Sequence, residues 1–385
     1  MHTTFLKASI SGLIFNGLLF MQTASFAATT IDFGEDRSIS ISIGGITSYR
    51  TEEDAESNGT ERSHDFKLNS ARLLLSGSLN KNIKGMLKTE RVVSNGSVDI
   101  IDANIQYEIS PSLSIWAGRM LSPSDRANMA GPYYSMGGGY WAGVASRYGF
   151  NGGIYGRDDG GAIVGKALDK RLTYAIGAFD GDNIFRFSGI GKPSEPQGNN
   201  DLMYAGRVQY NFWDVEPGYY GTANYFGTKD ILSIGIAGRS KKDAIAKAGK
   251  VGDYQSYSMD FLFEKRNVGA GTASMEAAVY RYDTDDVLLG EQGKSWLIGT
   301  AYLFNRKVGF GQFMPFIRYQ QFAADGSTNA SSLSPAKINN TKRAEVGINY
   351  VIEPYNAVIS AVYGDTKITD KDDRNVFNVA VQFQF

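Results

Sequence analysis

The chain of 385 residues has no cysteine, nine prolines and two histidines. Without cysteine it forms no disulfide, so an exported chain of this kind must hold together by its sheet alone. Beyond the N-terminus only His64 is left, and no G-x-S-x-G is present. A hydrolase barrel needs a histidine held with Ser or Asp inside a strand pair. His64 sits at the edge of a polar loop and reads as a solvated rim residue, so no catalytic residue and no enzyme activity are expected. Charge of one sign is lacking too: the formal net charge is −1, which suggests neither nucleic acid nor an acidic surface as partner. Past the first thirty residues, glycines or polar residues interrupt every apolar run well before the roughly twenty that a membrane helix needs. The mean hydropathy of −0.25 agrees. If this chain lives in a membrane, it does so as strands.

What is present points the same way. The sequence has 45 Gly, 22 Tyr and 22 Phe, a mixture that suits twisted strands, aromatic girdles and crowded barrel positions. Lys7, the mostly apolar stretch Ala8 to Met21 and the small residues of Ser25-Phe26-Ala27 read as a secretory signal cleaved after Ala27. Residues 28–385 then form one domain. At the far end, Phe377, Val379, Val381, Phe383 and Phe385 alternate with Asn378, Ala380, Gln382 and Gln384. Successive strand residues face opposite ways, so this segment has one apolar and one mostly polar face, the pattern of a barrel strand between lipid and lumen.

Similar alternation runs through the chain. Ile39, Ile41 and Ile43 alternate with serines, and Ala71, Leu73 and Leu75 with Ser70, Arg72 and Ser76. Ile101, Ala103, Ile105 and Tyr107 alternate with Asp102, Asn104, Gln106 and Glu108. Asn95-Gly96 marks a hairpin. Later strands run from Leu202–Phe212 and Asp230–Arg239 to Tyr355–Thr366 and Arg374–Phe385. Short turns at Asn80–Asn82, Ser110–Ser112, Asp169-Lys170, Asn267–Gly271 and Glu353-Pro354 alternate with longer polar loops, the asymmetry of outer-membrane barrels. The expectation is an all-β, antiparallel transmembrane barrel of about sixteen strands, wide enough for an aqueous lumen.

A charge at mid-bilayer on the lipid face costs roughly 2–4 kcal/mol for Arg or Lys, so the charged parity should face the lumen. That parity carries Arg72, Lys84, Lys88, Arg207, Arg318 and Arg343, against Glu90, Asp102, Glu108, Asp260, Glu264, Glu276 and Glu345. The stretch Ser122 to Asp159 breaks the alternation. It is the third external loop, and Met129, Tyr133, Tyr134, Met136, Tyr140, Trp141, Val144, Tyr148, Phe150, Ile154 and Tyr155 in it need burial. It is expected to fold into the lumen and set the constriction, with Arg119, Arg126, Arg147 and Arg157 in or beside it. An arginine offers a planar fork of donors to an oxyanion. The alternative is that these arginines pair with Asp125, Asp158 and Asp159 and brace the loop. Gly293-Lys294-Ser295 lacks the earlier glycine of a phosphate loop, and Asp283, Asp285 and Asp286 lack the EF-hand glycine. No metal and no cofactor are expected.

The residues Ser70-Ala71-Arg72-Leu73 through Gly77, Gly156-Arg157-Asp158-Asp159-Gly160 leading to Leu172–Gly181, and Gln382-Phe383-Gln384-Phe385 resemble the phosphate-selective porins O and P of the bacterial outer membrane and their wider group. The resemblance implies a sixteen-stranded barrel, a homotrimer and an inward third loop, with arginines in a ladder down the pore. Arg72 and the loop arginines stand for part of that ladder, where several lumen-facing arginines are implied and the first strands carry one.

The expected function is an outer-membrane porin of a Gram-negative bacterium: a passive diffusion channel for small hydrophilic solutes, weakly anion-preferring, with phosphate or other oxyanions among the candidates. Selectivity then comes from the charge and width of the constriction. Its other partner is the membrane lipid. The competing expectation is a non-conducting structural or adhesive barrel.

Overall fold

The computed structural model describes residues 28–91, 96–141, 143–147, 156–181, 201–247, 250–287, 291–325, 340–369 and 371–385. The expected signal, residues 1–27, and Asn95 of the expected hairpin lie outside the described residues. The strands are β1 (Thr29–Gly34), β2 (Arg37–Glu52), β3 (Ser63–Ser78), β4 (Ile83–Arg91), β5 (Val98–Ser110), β6 (Leu113–Leu121), β7 (Arg157–Ala167), β8 (Leu172–Phe179) and β9 (Met203–Asn211). They continue with β10 (Ile231–Lys247), β11 (Lys250–Val268), β12 (Gly271–Asp283), β13 (Gly293–Phe304), β14 (Lys307–Val308), β15 (Gly311–Ala324), β16 (Thr341–Glu353), β17 (Ala357–Ile368) and β18 (Arg374–Gln384). A five-residue helix, α1 (Arg126–Ala130), lies between β6 and β7.

Sixteen of these strands close a ring of antiparallel neighbours from β2 round to β18, with β13 pairing directly to β15. The closing seam pairs Val376 with Glu52 through Gln384 with Gly44. It ends where the Ile43 N–H donates to the Phe385 oxygen at 2.7 Å and the Phe385 N–H donates to Ile43 at 2.9 Å. Beyond that point β2 has no terminal strand beside it, and β1 takes over, pairing Thr29 with Ile41 through Gly34 with Arg37. The alternation in the sequence marks no strand before Ile39, so β1 is an addition. Its physical reason is that the free edge of β2 needs a partner for its backbone groups. The two-residue β14 extends the turn between β13 and β15.

Side-chain parity follows the alternation. Phe377, Val381, Phe383 and Phe385 are 41–60% exposed on the outer face, whereas Ala380 and Gln384 point inward and are buried. Ile39, Ile41, Ile43, Ile105, Tyr107, Ile163, Ile176, Ile236, Val279, Ile317 and Val346 continue the outer apolar belt. All thirteen charged residues expected in the lumen have inward parity. The face expected for Ile101 differs. Between Lys88↔Asp102 and Thr89↔Ile100 the ladder slips, and Ile101 is left as a bulge, wholly buried rather than on the outer face with Ile105 and Tyr107. A bulge inserts one unpaired residue and resets the parity beyond it.

The two ends of the barrel differ as expected. One end has tight turns, such as 111–112, 168–171 and 269–270; at the other, consecutive strands are separated by longer stretches of sequence, between Leu121 and Arg157, Asp283 and Gly293, and Ala324 and Thr341. The turn between β9 and β10 breaks this rule. The expected strands Leu202–Phe212 and Asp230–Arg239 left it without a role. The ladder ends where the Asp214 N–H donates to Asp230 at 3.0 Å. Residues 215–229 then enter the barrel from the turn end, and Glu216, Thr222, Ala223, Asn224 and Tyr225 are all buried.

The seam yields a first prediction. Deleting Phe385 removes two backbone hydrogen bonds at about 0.5–1.5 kcal/mol each. Urea unfolding of the refolded barrel should show a loss of about 1–3 kcal/mol; an unchanged midpoint would mean the seam does not limit stability.

Candidate functional site

The third loop spans Ser122 to Gly156, because Arg157 already begins β7. Its described apolar residues are inside: Met129, Tyr133, Tyr134, Met136, Trp141 and Val144 are each less than a tenth exposed. Trp141 and Val144 pack with Trp116, Phe179, Tyr280 and Phe322 of the wall, Met136 with Met314 and Phe316, and Tyr133 and Tyr134 with Ile46 and Ala380. Polar contacts fix the loop to the same wall. The Trp141 indole N–H donates to Glu276 at 2.9 Å, the Tyr282 hydroxyl donates to the Ala145 carbonyl at 2.9 Å, and Gln320 accepts from the backbone of Val144 and Ala145 at 3.2 Å. At the tip the chain comes too close for side chains: a Cβ on Gly138 would lie 2.5 Å from Ser360, and one on Gly137 2.7 Å from the Phe316 ring. Tyr148, Phe150, Ile154 and Tyr155 lie outside the described residues.

The four loop arginines do not form one cluster. Arg126, at the start of α1, is 1% exposed. Its guanidinium donates to both Glu216 oxygens at 2.7 Å, to the Thr222 carbonyl at 2.7 Å and to Ser233 at 2.9 Å. It therefore ties the loop to the inward turn. Asp260 joins the network by accepting from Arg207 at 2.5 and 2.9 Å. Arg147 pairs with Glu291 and lies 3.5 Å above the Phe322 ring. Arg157 lies on the wall, 3.6 Å from Asp102, which also meets Lys88 at 3.1 Å. Arg119 stands apart. It shares the outward parity of Ile115 and Ala117, and Asp159, opposite it on β7, accepts both arms of its fork at 2.6 Å. Each arginine thus meets an acid, mostly one other than the aspartates within the loop.

The wall residues divide similarly. Arg72 pairs with Glu90, donates to the Tyr140 hydroxyl at 3.2 Å and lies 4.9 Å from the Tyr133 ring. Arg318 meets Glu345 at 2.8 Å and sits over the Trp141 ring, and Arg343 shares Glu345 at 3.0 Å. Lys84 pairs with Glu108 at 2.5 Å near the turn end. His64 is exposed on the outer face at the rim, 2.9 Å from the Tyr49 hydroxyl.

Two of the cavities among the described residues bear on the arginines of the loop and wall. A cavity of about 450 Å³ opens on the loop side, between the tip at Gly138–Trp141 and the wall, with Arg50, Arg318 and Arg343 against Glu90 and Glu345. Below it is a tighter space of about 40 Å³, lined by Arg72, Lys88 and Arg157 together with Tyr134 and Tyr220. Arg72 with Glu90, Tyr133 and Tyr140 stands between the two. Sequence reasoning missed Arg239, whose guanidinium donates to the Ser122 and Pro123 carbonyls at 3.3 Å; inward parity on β10 was the available signal. It also missed Glu216, which no local pattern marks.

Burial alone would raise the Glu216 carboxyl, but the Arg126 charge and hydrogen bonds from Arg126, Ser233 and Tyr225 outweigh it and hold it below its ordinary 4.5. A depressed carboxyl contributes stability that is fully present above pH 4.5 and lost as pH falls through the lower folded value. Acid unfolding of Glu216→Gln should lack that acid limb. Arg126→Ala, which strands two buried acids, should cost about 3–5 kcal/mol in denaturant unfolding; a loss under 1 kcal/mol would refute a bracing role.

No protein-family model matches the chain, and no curated protein is similar to it in sequence. Solved structures are similar in fold. An anion-selective porin from Comamonas acidovorans aligns with a TM-score of 0.61 at 13% identity, over 91% of this chain and 100% of its own. OprB of Pseudomonas putida aligns with a TM-score of 0.61 at 9% identity, over 91% of this chain and 94% of its own. OmpT, an outer membrane protein of Vibrio cholerae, in its trimer form, aligns with a TM-score of 0.56 at 13% identity, over 91% of this chain and 99% of its own. The likeness at these identities is one of fold: this chain has the sixteen-stranded barrel of bacterial outer-membrane porins.

Proposed function

We propose that the protein is a passive diffusion channel of the outer membrane for small hydrophilic solutes, with a weak preference for anions such as phosphate and other oxyanions. The observation that carries this reading is the charge along the lumen. The upper chamber is lined by three arginines against two acids, and the lower by Arg72, Lys88 and Arg157 with no acid in its lining. Such linings lower the electrostatic barrier for anions relative to cations. Arg72, at the divide, is the selectivity residue of this reading. Arg126 and Arg147 brace the loop and act on the pore through it. Export by the signal at residues 1–27 and assembly as a homotrimer complete the proposal; the trimer form of the Vibrio cholerae protein of like fold supports the latter.

A non-conducting barrel is the second reading, favoured by the tightness of the lower chamber. Single-channel recording in planar bilayers with a salt gradient separates the two. Stepwise conductance with an anion-favouring reversal potential is expected; silence across many insertions would leave the second reading. A unit charge about 7 Å from the ion path is worth about 0.6 kcal/mol in water. Arg72→Gln removes that attraction for an anion and the equal repulsion of a cation, so it should lower the anion-to-cation permeability ratio roughly sevenfold, and an unchanged ratio would remove Arg72 from the filter.

A further inference from the structure

The inward turn, residues 215–229, is built to stay inside the barrel. Its acid Glu216 is held by Arg126 of the third loop, as described above. From the wall, Glu264 accepts the backbone N–H groups of Tyr225 and Gly227, each at 2.7 Å. The Ala223 N–H donates to the Tyr134 carbonyl of the loop at 2.9 Å, and the Tyr355 hydroxyl donates to the Asn224 carbonyl at 2.6 Å. On the opposite side the Tyr219 hydroxyl donates to the Leu121 carbonyl at 2.5 Å, and its ring lies 5.0 Å from that of Trp116. Tyr220 reaches Asp102 with its hydroxyl at 3.4 Å, while Lys88 sits 5.1 Å from its ring. The segment thus spans the lumen from β4–β6 to β11 and the turn between β16 and β17. The two cavities that border it measure about 40 Å³ each, room for a few waters, against about 450 Å³ in the chamber above.

We infer that this turn forms a second constriction in series with the third loop, at the periplasmic side, and that Tyr220 is the residue that sets its width. A hydrated anion that has passed Arg72 meets the Tyr220 ring with Lys88 and Arg157 beside it, so the turn rather than the loop limits the current. The inference rests on the channel reading of the previous subsection and adds a residue and a location to it.

Two variants test it in planar bilayers, using the refolded full-length mature chain with heat-modifiable gel mobility as the check on barrel folding. Tyr220→Ala removes the ring and should raise single-channel conductance roughly twofold or more. Gly221→Cys adds a thiol to a chain that has none. Its Cβ would meet only Met129, at an ordinary 3.6 Å. Labelling that thiol with a charged methanethiosulfonate, verified by mass, should then cut the conductance severalfold. The inference stands if either change moves the conductance in its stated direction. If neither does while the wild type conducts, the inference falls and the channel reading survives. A third variant, with residues 217–224 replaced by a short Gly-Ser linker, covers a silent wild type. Conductance by this variant alone would support the turn as the barrier, and silence from both would overturn the inference and the channel reading together.

Discussion

The structure depends on one constraint: in the hydrocarbon of a membrane, no backbone N–H or C=O can be left without a partner. The closing seam meets it. The terminal strand runs along β2 until Phe385 exchanges hydrogen bonds with Ile43. The remaining edge of β2 is covered by β1. Once the ring is closed, period-two alternation sorts every side chain to lipid or lumen, and a slip such as the bulge at Ile101 is tolerated because it leaves the ring intact.

Closure also decides what fills the interior. A barrel of this size encloses more space than its own inward side chains occupy, and among the described residues two segments enter to fill it. The third loop comes from one end with a cluster of aromatic and methionine side chains. The turn between β9 and β10 comes from the other. They meet at Arg126 and Glu216, and at the backbone contact between Tyr134 and Ala223. A buried ion pair does not by itself stabilise a fold, because both charges lose their hydration. Here the pair has a different consequence, since it fixes two chain segments against each other and against Asp260 and Ser233 of the wall. The space left over is lined by cations more than by acids, although wall charges were balanced in the sequence reading. Acids such as Asp260, Glu264 and Glu276 are covered by the loop and the turn, whereas Arg72, Lys88 and Arg157, though paired with Glu90 and Asp102, still line the lower cavity.

Much of this was legible beforehand because it is local. Alternation between Phe377 and Phe385 identifies a strand and its two faces without knowledge of any other residue, and repetition of such segments pointed to about sixteen strands and to the inward set from Arg72 to Glu345. The break at Ser122 and the crowd of tyrosines after it pointed to an inward loop for the same reason. The charge partners were not legible. Arg126 and Glu216 are 90 residues apart in the chain, and Trp141 and Glu276 are 135 apart, so no spacing connects them. Arg119 illustrates the limit: it lies beside the loop in sequence, yet strand parity turns it outward to Asp159.

What the sequence determined by itself, then, is the sheet, its two faces and the chemistry available inside it, since these follow from a two-residue repeat. The tertiary structure decided which arginines brace and which line the lumen, and that a turn of ordinary composition enters the barrel. Those outcomes depend on the geometry of the closed ring, because only closure brings β5, β10 and β11 across from the loop and makes the interior a space that something must fill.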